Sequence, residues 1–211
     1  MEPLHKILLL RHAEVELACR GTFCGHQDVN LSENGRNQSI DIAPFLADSG
    51  IEAVFSSPMK RVQQTIDPTL KRLRLRHHSV IHDLREVDFG SWTGVKWQDI
   101  DDRPDFSPAN WMQHLENGEI DDAEPLEDFR DRVDKALETI LTPPVPGNLL
   151  IASHGGVIRM ILSLLLDLPF SRMDCFEADY ASVTEVHIHA DGRRSIKLLN
   201  FRPWKEVPVP A

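Results

Sequence analysis

The chain has 211 residues, of which 41% are hydrophobic and 27% charged, so its composition is that of a globular protein with a sizeable core. Its formal net charge of −10 argues against a general nucleic-acid binder, which normally has a basic surface. The acidic charge does not exclude an anionic substrate, because a pocket can be locally basic inside an acidic protein.

The N-terminal segment and the cysteines bear on the compartment of the protein. The apolar run at residues 7–10 is followed at once by Arg11, so it is too short for the core of a signal peptide. No stretch of the sequence is long enough to span a membrane. The cysteines Cys19, Cys24 and Cys175 lack the spacing of a disulfide framework or a metal site. We therefore expect a cytoplasmic protein without a membrane partner.

Four short apolar runs predict buried strands of a parallel sheet. The runs are residues 7–10, 52–55, 80–81 and 149–152. Helical patterns separate these runs. They extend from Ser32 to about Asp48, from Pro58 to about Leu73, from Pro125 to about Ile140, and over residues 156–166. Strands that alternate with helices predict an α/β fold, a three-layer sandwich with a mostly parallel central sheet and helices on both faces.

Two further segments do not follow this alternation. Residues 182–189 and 194–201 flank Asp191-Gly192, which predicts a β-hairpin. Residues 101–122 are acidic and contain two prolines. We expect them to form a lid or insertion, around residues 95–123, within a single domain of residues 1–211. The edge strands of the sheet can pair with a second copy, so a homodimer is a further hypothesis.

Basic residues follow three of the predicted strands at the same end. The first strand stops at Arg11-His12, Arg61 follows the second within one helical turn, and the fourth stops at His154. Ligands of parallel sheets bind at this edge, and the following helix adds free N–H groups. Each residue alone has a structural explanation, such as an ion pair or a tight turn. Their common position predicts a phosphate site, because a guanidinium group can donate two parallel hydrogen bonds to phosphate oxygens.

Glu86 follows the third predicted strand and is the fourth element of this site. Phosphoryl transfer from an alkyl ester needs a proton on the leaving oxygen, and a carboxylic acid partly removed from water can supply it. Asp88 is the alternative carboxylate. The structural alternative for Glu86 is a surface ion pair with Arg85 or Lys96.

Together these motifs resemble those of the histidine phosphatase superfamily, also called phosphoglycerate mutase-like. The matching segments, in family order, are residues 10–14, 23–28, 56–61, 84–94, 153–156 and 182–184. Any one segment is weak support, whereas the ordered set is specific. Within the family the sequences of these segments are most similar to those of α-ribazole phosphatases and broad-specificity phosphatases of small metabolites. The resemblance implies a phosphoglycerate mutase-like fold and a phosphomonoesterase that acts on a small-molecule phosphate monoester without metal or cofactor.

The resemblance also implies a role for each site residue. His12 is the expected nucleophile, which becomes phosphohistidine, and Glu86 is the expected general acid and later base. The other members are expected to bind the phosphate or to form the rim that meets the substrate: Arg11, Arg61, His154, Cys24 and Gly25.

The chain departs from the family pattern at three places. Ala13 stands where Gly is usual, a change that the fold tolerates if the backbone there is not left-handed. Ala18 stands where Asn is frequent, and residues 123–125 replace Gly-Glu-Ser. These changes bear on the substrate more than on the reaction. Two alternatives stay open: phosphoryl transfer of the phosphoglycerate mutase type, and a catalytically silent phosphate-binding module.

Overall fold

The structure, a computed structural model, describes residues 4–73, 75, 77–100, 110–142, 147–203 and 205. Within these residues the strands are β1 His5–Arg11, β2 Ile51–Ser56, β3 His77–Val80, β4 Asn148–Ser153, β5 Val183–Ile188 and β6 Arg194–Phe201. The helices are α1 Glu33–Asp48, α2 Lys60–Arg72, α3 Trp111–Glu116, α4 Leu126–Leu141 and α5 Gly155–Leu166.

The six strands form one mixed sheet in the order β3-β2-β4-β1-β5-β6. The pairs β2–β3, β2–β4 and β1–β4 are parallel, whereas β5 pairs antiparallel with both β1 and β6. The predicted α/β fold with a mostly parallel sheet is therefore confirmed, and so is the predicted C-terminal hairpin. The carboxyl ends of β1, β2, β3 and β4 all lie at one edge of the sheet.

Side chains of β1 alternate between two hydrophobic cores. Leu8 and Leu10 pack on one face with side chains of α1 and α2. Ile7 and Leu9 pack on the other face with side chains of α3, α4 and α5. Because successive residues of a strand point to opposite faces, this alternation places the sheet between two helical layers.

Two predicted boundaries are wrong by a few residues. The helix α2 begins at Lys60 and not at Pro58, because Met59 has extended backbone with φ −62° and ψ 135° and precedes the first helical turn. The strand β3 covers His77–Val80 and not residues 80–81, because its pairing with β2 begins where His77 lies opposite Ala53.

The start of α1 is anchored to the segment that follows β1. Ser32 caps the helix as predicted, since its Oγ accepts the Gly35 N–H at 2.9 Å. Its own N–H donates to the Glu14 carbonyl at 2.9 Å, and its Oγ donates to Glu14 Oε1 at 2.6 Å. A Cβ on Gly35 would stand 2.0 Å from the Glu14 carbonyl oxygen, so only glycine permits this approach. These contacts hold the chain directly after the predicted nucleophile.

The predicted lid lies partly outside the described residues, since residues 101–109 are not among them. Its described part contains a short 3-10 turn at Trp97–Asp99 and the helix α3, and its role as a lid stays a prediction. None of the helices that the structure describes is both long and apolar enough to cross a membrane.

Candidate active site

The ends of the parallel strands bring the predicted site residues to one edge of the sheet. Arg11 is the last residue of β1, and His12 follows it. The His12 N–H donates to the Ser153 carbonyl at 2.9 Å, which ties the end of β1 to the end of β4. His154 comes next and precedes α5, while Arg61 lies in the first turn of α2.

A cavity of about 470 Å³ opens at this edge. Six of the seven predicted site residues line it, and these are Arg11, His12, Cys24, Gly25, Arg61 and Glu86. His154 is the exception, because it is fully buried beneath the cavity lining. Its ring packs edge-on against the ring of His12, with 5.3 Å between centroids.

Arg61 is a buried cation whose partners are neutral. Its side chain is among the largest fully buried ones, with 1% exposure. The guanidinium donates to the Gln27 carbonyl at 2.7 Å, to the Gly25 carbonyl at 2.9 Å, and to His154 Nδ1 at 3.2 Å. Burial lowers the pKa of Arg61, and the charge of Glu86 acts in the opposite direction. The cavity wall therefore carries a positive charge that an anion would neutralise.

The hydrogen bonds of His154 define its tautomer. Because Nδ1 accepts from Arg61, the ring proton lies on Nε2, which donates to Ser57 Oγ at 2.8 Å. Burial, and then the charge of Arg61, hold the pKa of His154 well below its usual range. His154 is therefore neutral, with both nitrogens bound to protein groups. In this arrangement it orients Arg61 and does not reach the cavity itself.

His12 has the opposite tautomer. Its Nδ1 donates to the Ala13 carbonyl at 2.9 Å, so Nε2 carries the lone pair. Burial, and then the charges of Arg61 and Arg11, hold the pKa of His12 well below its usual range. The cavity is thus lined by a neutral imidazole with one unprotonated nitrogen, which is the form that a nucleophile requires.

Tyr180 supports the Arg11 side of the cavity. The Arg11 guanidinium lies over the Tyr180 ring, 4.4 Å from its centroid, and Arg11 Nη1 donates to the Ala178 carbonyl. The Tyr180 ring also lies 5.6 Å from that of His12. Burial raises the pKa of Tyr180, so its hydroxyl stays protonated. Sequence reasoning missed Tyr180, because it comes from an irregular segment before β5 without a recognisable motif.

Glu86 lies at the N-terminus of α5. Its Oε2 accepts the Gly156 N–H at 3.2 Å, and its Oε1 accepts the Val87 N–H at 3.1 Å. A Cβ on Gly156 would stand 2.5 Å from Glu86 Oε1, so the glycine leaves the space that the carboxylate occupies. The two backbone N–H groups hold the carboxyl group at the start of α5.

The family model described as the histidine phosphatase superfamily (branch 1) matches residues 7–201. The chain belongs to this family. Over 196 residues it is 31% identical to a bifunctional protein of Mycobacterium tuberculosis. The match covers 92% of this chain and 53% of that protein, so this chain spans about half the length of that relative. It is 26% identical over 201 residues to the adenosylcobalamin/α-ribazole phosphatase of Salmonella typhimurium, covering 95% and 98% of the two chains.

The fold agrees with this assignment. The solved structure of a putative α-ribazole-5′-P phosphatase from Escherichia coli matches with a TM-score of 0.80 at 23% identity, over 94% of this chain and 97% of the other. The superfamily that the motifs predict is therefore confirmed, and named phosphatases are among its relatives.

Arg132 holds the loop that carries Glu86. All five N–H donors of its guanidinium are used. Two bind the Glu124 carboxylate at 2.5 and 2.8 Å, and three bind the carbonyls of Asp83, Arg85 and Glu86 at 2.7, 2.7 and 3.0 Å. Sequence reasoning missed this residue, although it lies beside the apolar stripe of α4.

Arg159 is a second basic residue of the cavity that sequence reasoning missed. It lines the cavity together with Arg11 and Glu86. The signal for it was present, since Arg159 follows Gly155 by four residues and residues four apart share one face of a helix.

The protonation of the two histidines leads to a prediction about pH. Unfolded histidines titrate near pH 6.5, whereas burial lowers the pKa of His12 and His154 in the folded protein. Below about pH 6.5 the unfolded chain binds more protons, so the free energy of unfolding falls as pH decreases, by up to about 1.4 kcal/mol per pH unit for each histidine. Urea denaturation between pH 5 and 7 measures this slope.

His154→Gln serves as the comparison, because its amide oxygen can still accept from Arg61. The variant should show a shallower slope than the wild type. Long-range ¹H–¹⁵N correlation spectra should place the proton of His12 on Nδ1 and that of His154 on Nε2. A ring of either residue that titrates near pH 6.5 would contradict the assignment.

A second prediction concerns Arg132. Arg132→Met leaves the Glu124 carboxylate, with 15% exposure, without its ion-pair partner and removes a donor from three carbonyls. We expect a loss of about 3–5 kcal/mol in the free energy of unfolding, as for other buried ion pairs that lose one member. Adding Glu124→Gln should recover part of the loss, because it removes the unpaired charge. A loss below about 1 kcal/mol in the single variant would mean that the contacts are not stabilising.

Proposed function

We propose that this chain is a metal-independent phosphomonoesterase that hydrolyses a small phosphorylated metabolite through a phosphohistidine at His12. The protonation of His12 is the observation that supports this most strongly. Its Nδ1–H is bound to the Ala13 carbonyl, so Nε2 is unprotonated in a cavity that Arg11 and Arg61 make positive. A neutral nucleophile next to a cationic anion site is the combination that phosphoryl transfer requires.

In this mechanism the cationic wall binds the phosphate. Arg11 and Arg61 bind its non-bridging oxygens, and both guanidinium groups are oriented by protein carbonyls before the substrate enters. His154 stabilises the phosphate through Arg61, whose Nε it holds at 3.2 Å. The backbone at Cys24 and Gly25 forms the rim on the substrate side.

The reaction then runs in two steps. The Nε2 of His12 forms a bond to phosphorus as the ester P–O bond breaks, and protonated Glu86 gives its proton to the leaving oxygen. The alcohol departs. The Glu86 carboxylate next takes a proton from water, whose oxygen attacks phosphorus as the N–P bond breaks. One ester and one water yield one alcohol and one phosphate, and Glu86 regains its proton.

The size of the cavity suits a small-molecule substrate. Its volume of about 470 Å³ falls within the range of about 300–1,000 Å³ that such sites occupy. The relative from Salmonella typhimurium is named an adenosylcobalamin/α-ribazole phosphatase, which is consistent with a small metabolite as the substrate.

The intermediate can be trapped directly. Rapid quenching with a ³²P-labelled ester should leave label on wild-type protein that is labile in acid and stable in base, whereas His12→Ala should carry none. Because the nucleophile is lost, the variant should hydrolyse p-nitrophenyl phosphate at least about 1,000-fold more slowly. Equal rates for the two proteins, or label with the opposite lability, would refute the mechanism. Wild-type activity that a chelator abolishes would refute its metal independence.

The role of Glu86 predicts a dependence on the leaving group. Glu86→Gln keeps an oxygen for the Gly156 N–H but has no proton of suitable acidity to donate. It should slow hydrolysis of an alkyl phosphate by about 10²–10⁴-fold. It should slow that of 2,4-dinitrophenyl phosphate far less, because this leaving group needs no proton. Asp88→Asn is the matched control, since Asp88 is the alternative carboxylate for the role of general acid. Equal losses of Glu86→Gln on both substrates would exclude an acid role.

A further inference from the structure

Two guanidinium groups lie next to each other in the cavity, and the proposed phosphate site uses only one of them. Arg11 and Arg159 both line the cavity. The position that a Cβ would take on Gly155 is 3.2 Å from Arg159 Nη1 and 3.6 Å from Arg11 Nε. Both side chains therefore approach the same point above Gly155, and the missing side chain of the glycine provides the room.

Neither of these two cations is fully paired within the described residues. The Nε atoms of Arg11 and Arg159 are both buried without a hydrogen-bond partner. Arg159 Nη1 donates to the Gly155 carbonyl at 3.3 Å, and no ion pair of Arg159 is found among the residues that the structure describes. Adjacent like charges repel each other, and neither guanidinium makes an ion pair among the described residues, so this arrangement favours the binding of an anion.

Two acidic side chains line the same cavity. Glu86 accepts the Val87 and Gly156 N–H groups and makes no ion pair with Arg159 among the described residues. The other acidic side chain is Asp174. It is exposed to solvent, which screens its charge, and it makes no ion pair with Arg159 among the described residues. Asp174 therefore does not take the place of the missing counter-charge.

The surroundings of Arg159 place it on the leaving-group side of the cavity. Besides burial, the charge of Arg11 lowers the pKa of Arg159, while those of Glu86 and Asp174 raise it. Arg159 also belongs to α5, the helix whose first turn binds the Glu86 carboxylate through the Gly156 N–H. The proposed general acid therefore lies at the same end of α5 as the Arg159 guanidinium. Glu86 Oε1 is 2.5 Å from the position that a Cβ would take on Gly156, the residue after the Gly155 that Arg159 Nη1 approaches.

We propose that Arg159 binds a second anionic group, a carboxylate or a further phosphate, on the alcohol portion of the substrate. Arg159 is then a specificity-determining residue, and the substrate class is phosphate monoesters whose leaving alcohol carries such a group. This inference rests on the phosphatase function proposed above. Arg11 binds the transferred phosphate, and Arg159 offers its own Nε and Nη donors to the second anion.

Matched substrates test this subsite. 3-Phosphoglycerate and glycerol 3-phosphate differ only by a carboxylate in place of a hydroxymethyl group, and propane-1,3-diol bisphosphate and its monophosphate differ by a second phosphate. Wild-type protein should prefer the member with two anionic groups in at least one pair, and the pair that shows this preference identifies the second anion. Arg159→Met should lower kcat/KM for that member by about 10–100-fold, the loss expected for one charged hydrogen-bonding partner. The same variant should change kcat/KM for the member with a single phosphate group by less than about threefold.

Two further variants serve as controls. Arg159→Lys keeps the charge and should restore part of the preference. Lys135→Met removes one exposed positive charge from α4 and should leave all four rates unchanged. If Arg159→Met lowers kcat/KM equally for both members of each pair, or changes neither, the subsite is refuted.

A binding measurement separates this inference from the proposed function. In a His12→Ala background, where no turnover is expected, calorimetry gives the dissociation constants of 3-phosphoglycerate, glycerol 3-phosphate and the two propanediol phosphates. The ligands with two anionic groups should lose affinity on Arg159→Met, whereas those with a single phosphate group should not. This result supports the subsite even if wild-type protein hydrolyses none of these esters. Loss of that difference refutes the subsite even if p-nitrophenyl phosphate is hydrolysed well.

Discussion

The buried guanidinium of Arg61 is the constraint on which the rest of the site depends. The chain holds it with two carbonyls, those of Gly25 and Gln27, and with the neutral ring of His154, so its charge is oriented but not cancelled. That charge, together with burial, lowers the pKa of His12 and of His154. The same cation therefore attracts an anion and keeps the imidazole of His12 unprotonated, two conditions that a histidine nucleophile for phosphate needs together.

A different part of the chain positions Glu86 in the cavity. Glu86 lies in a loop that has little regular structure of its own, and two distant elements hold it. The first turn of α5 donates the Gly156 N–H to the carboxylate, and Arg132 of α4 binds three carbonyls of the loop. The anion site thus comes from β1 and α2, and the proposed acid from the layer of α4 and α5. Their relative position depends on the packing of the helices on the sheet.

The departures from the family pattern have local physical explanations. Ala13 is fully buried, its N–H donates to Thr65 Oγ1 at 2.8 Å, and it is not among the residues with positive φ. The extra methyl group is therefore accommodated, because the backbone at Ala13 is not left-handed. Ala18 is exposed in the turn at Leu17–Cys19 and does not line the cavity. Arg159 adds a charge in another part of the cavity.

The sequence by itself determined the fold class, the hairpin, the family and six of the residues that line the cavity, because apolar runs mark buried strands and parallel strands end at a common edge. Only the tertiary structure decided how these side chains are arranged. His154 lies behind Arg61 and not in the cavity wall, Arg132 ties the Glu86 loop to α4, and Arg159 meets Arg11 above Gly155. Such contacts join segments far apart in the chain, and local periodicity carries no information about the direction in which two distant side chains meet.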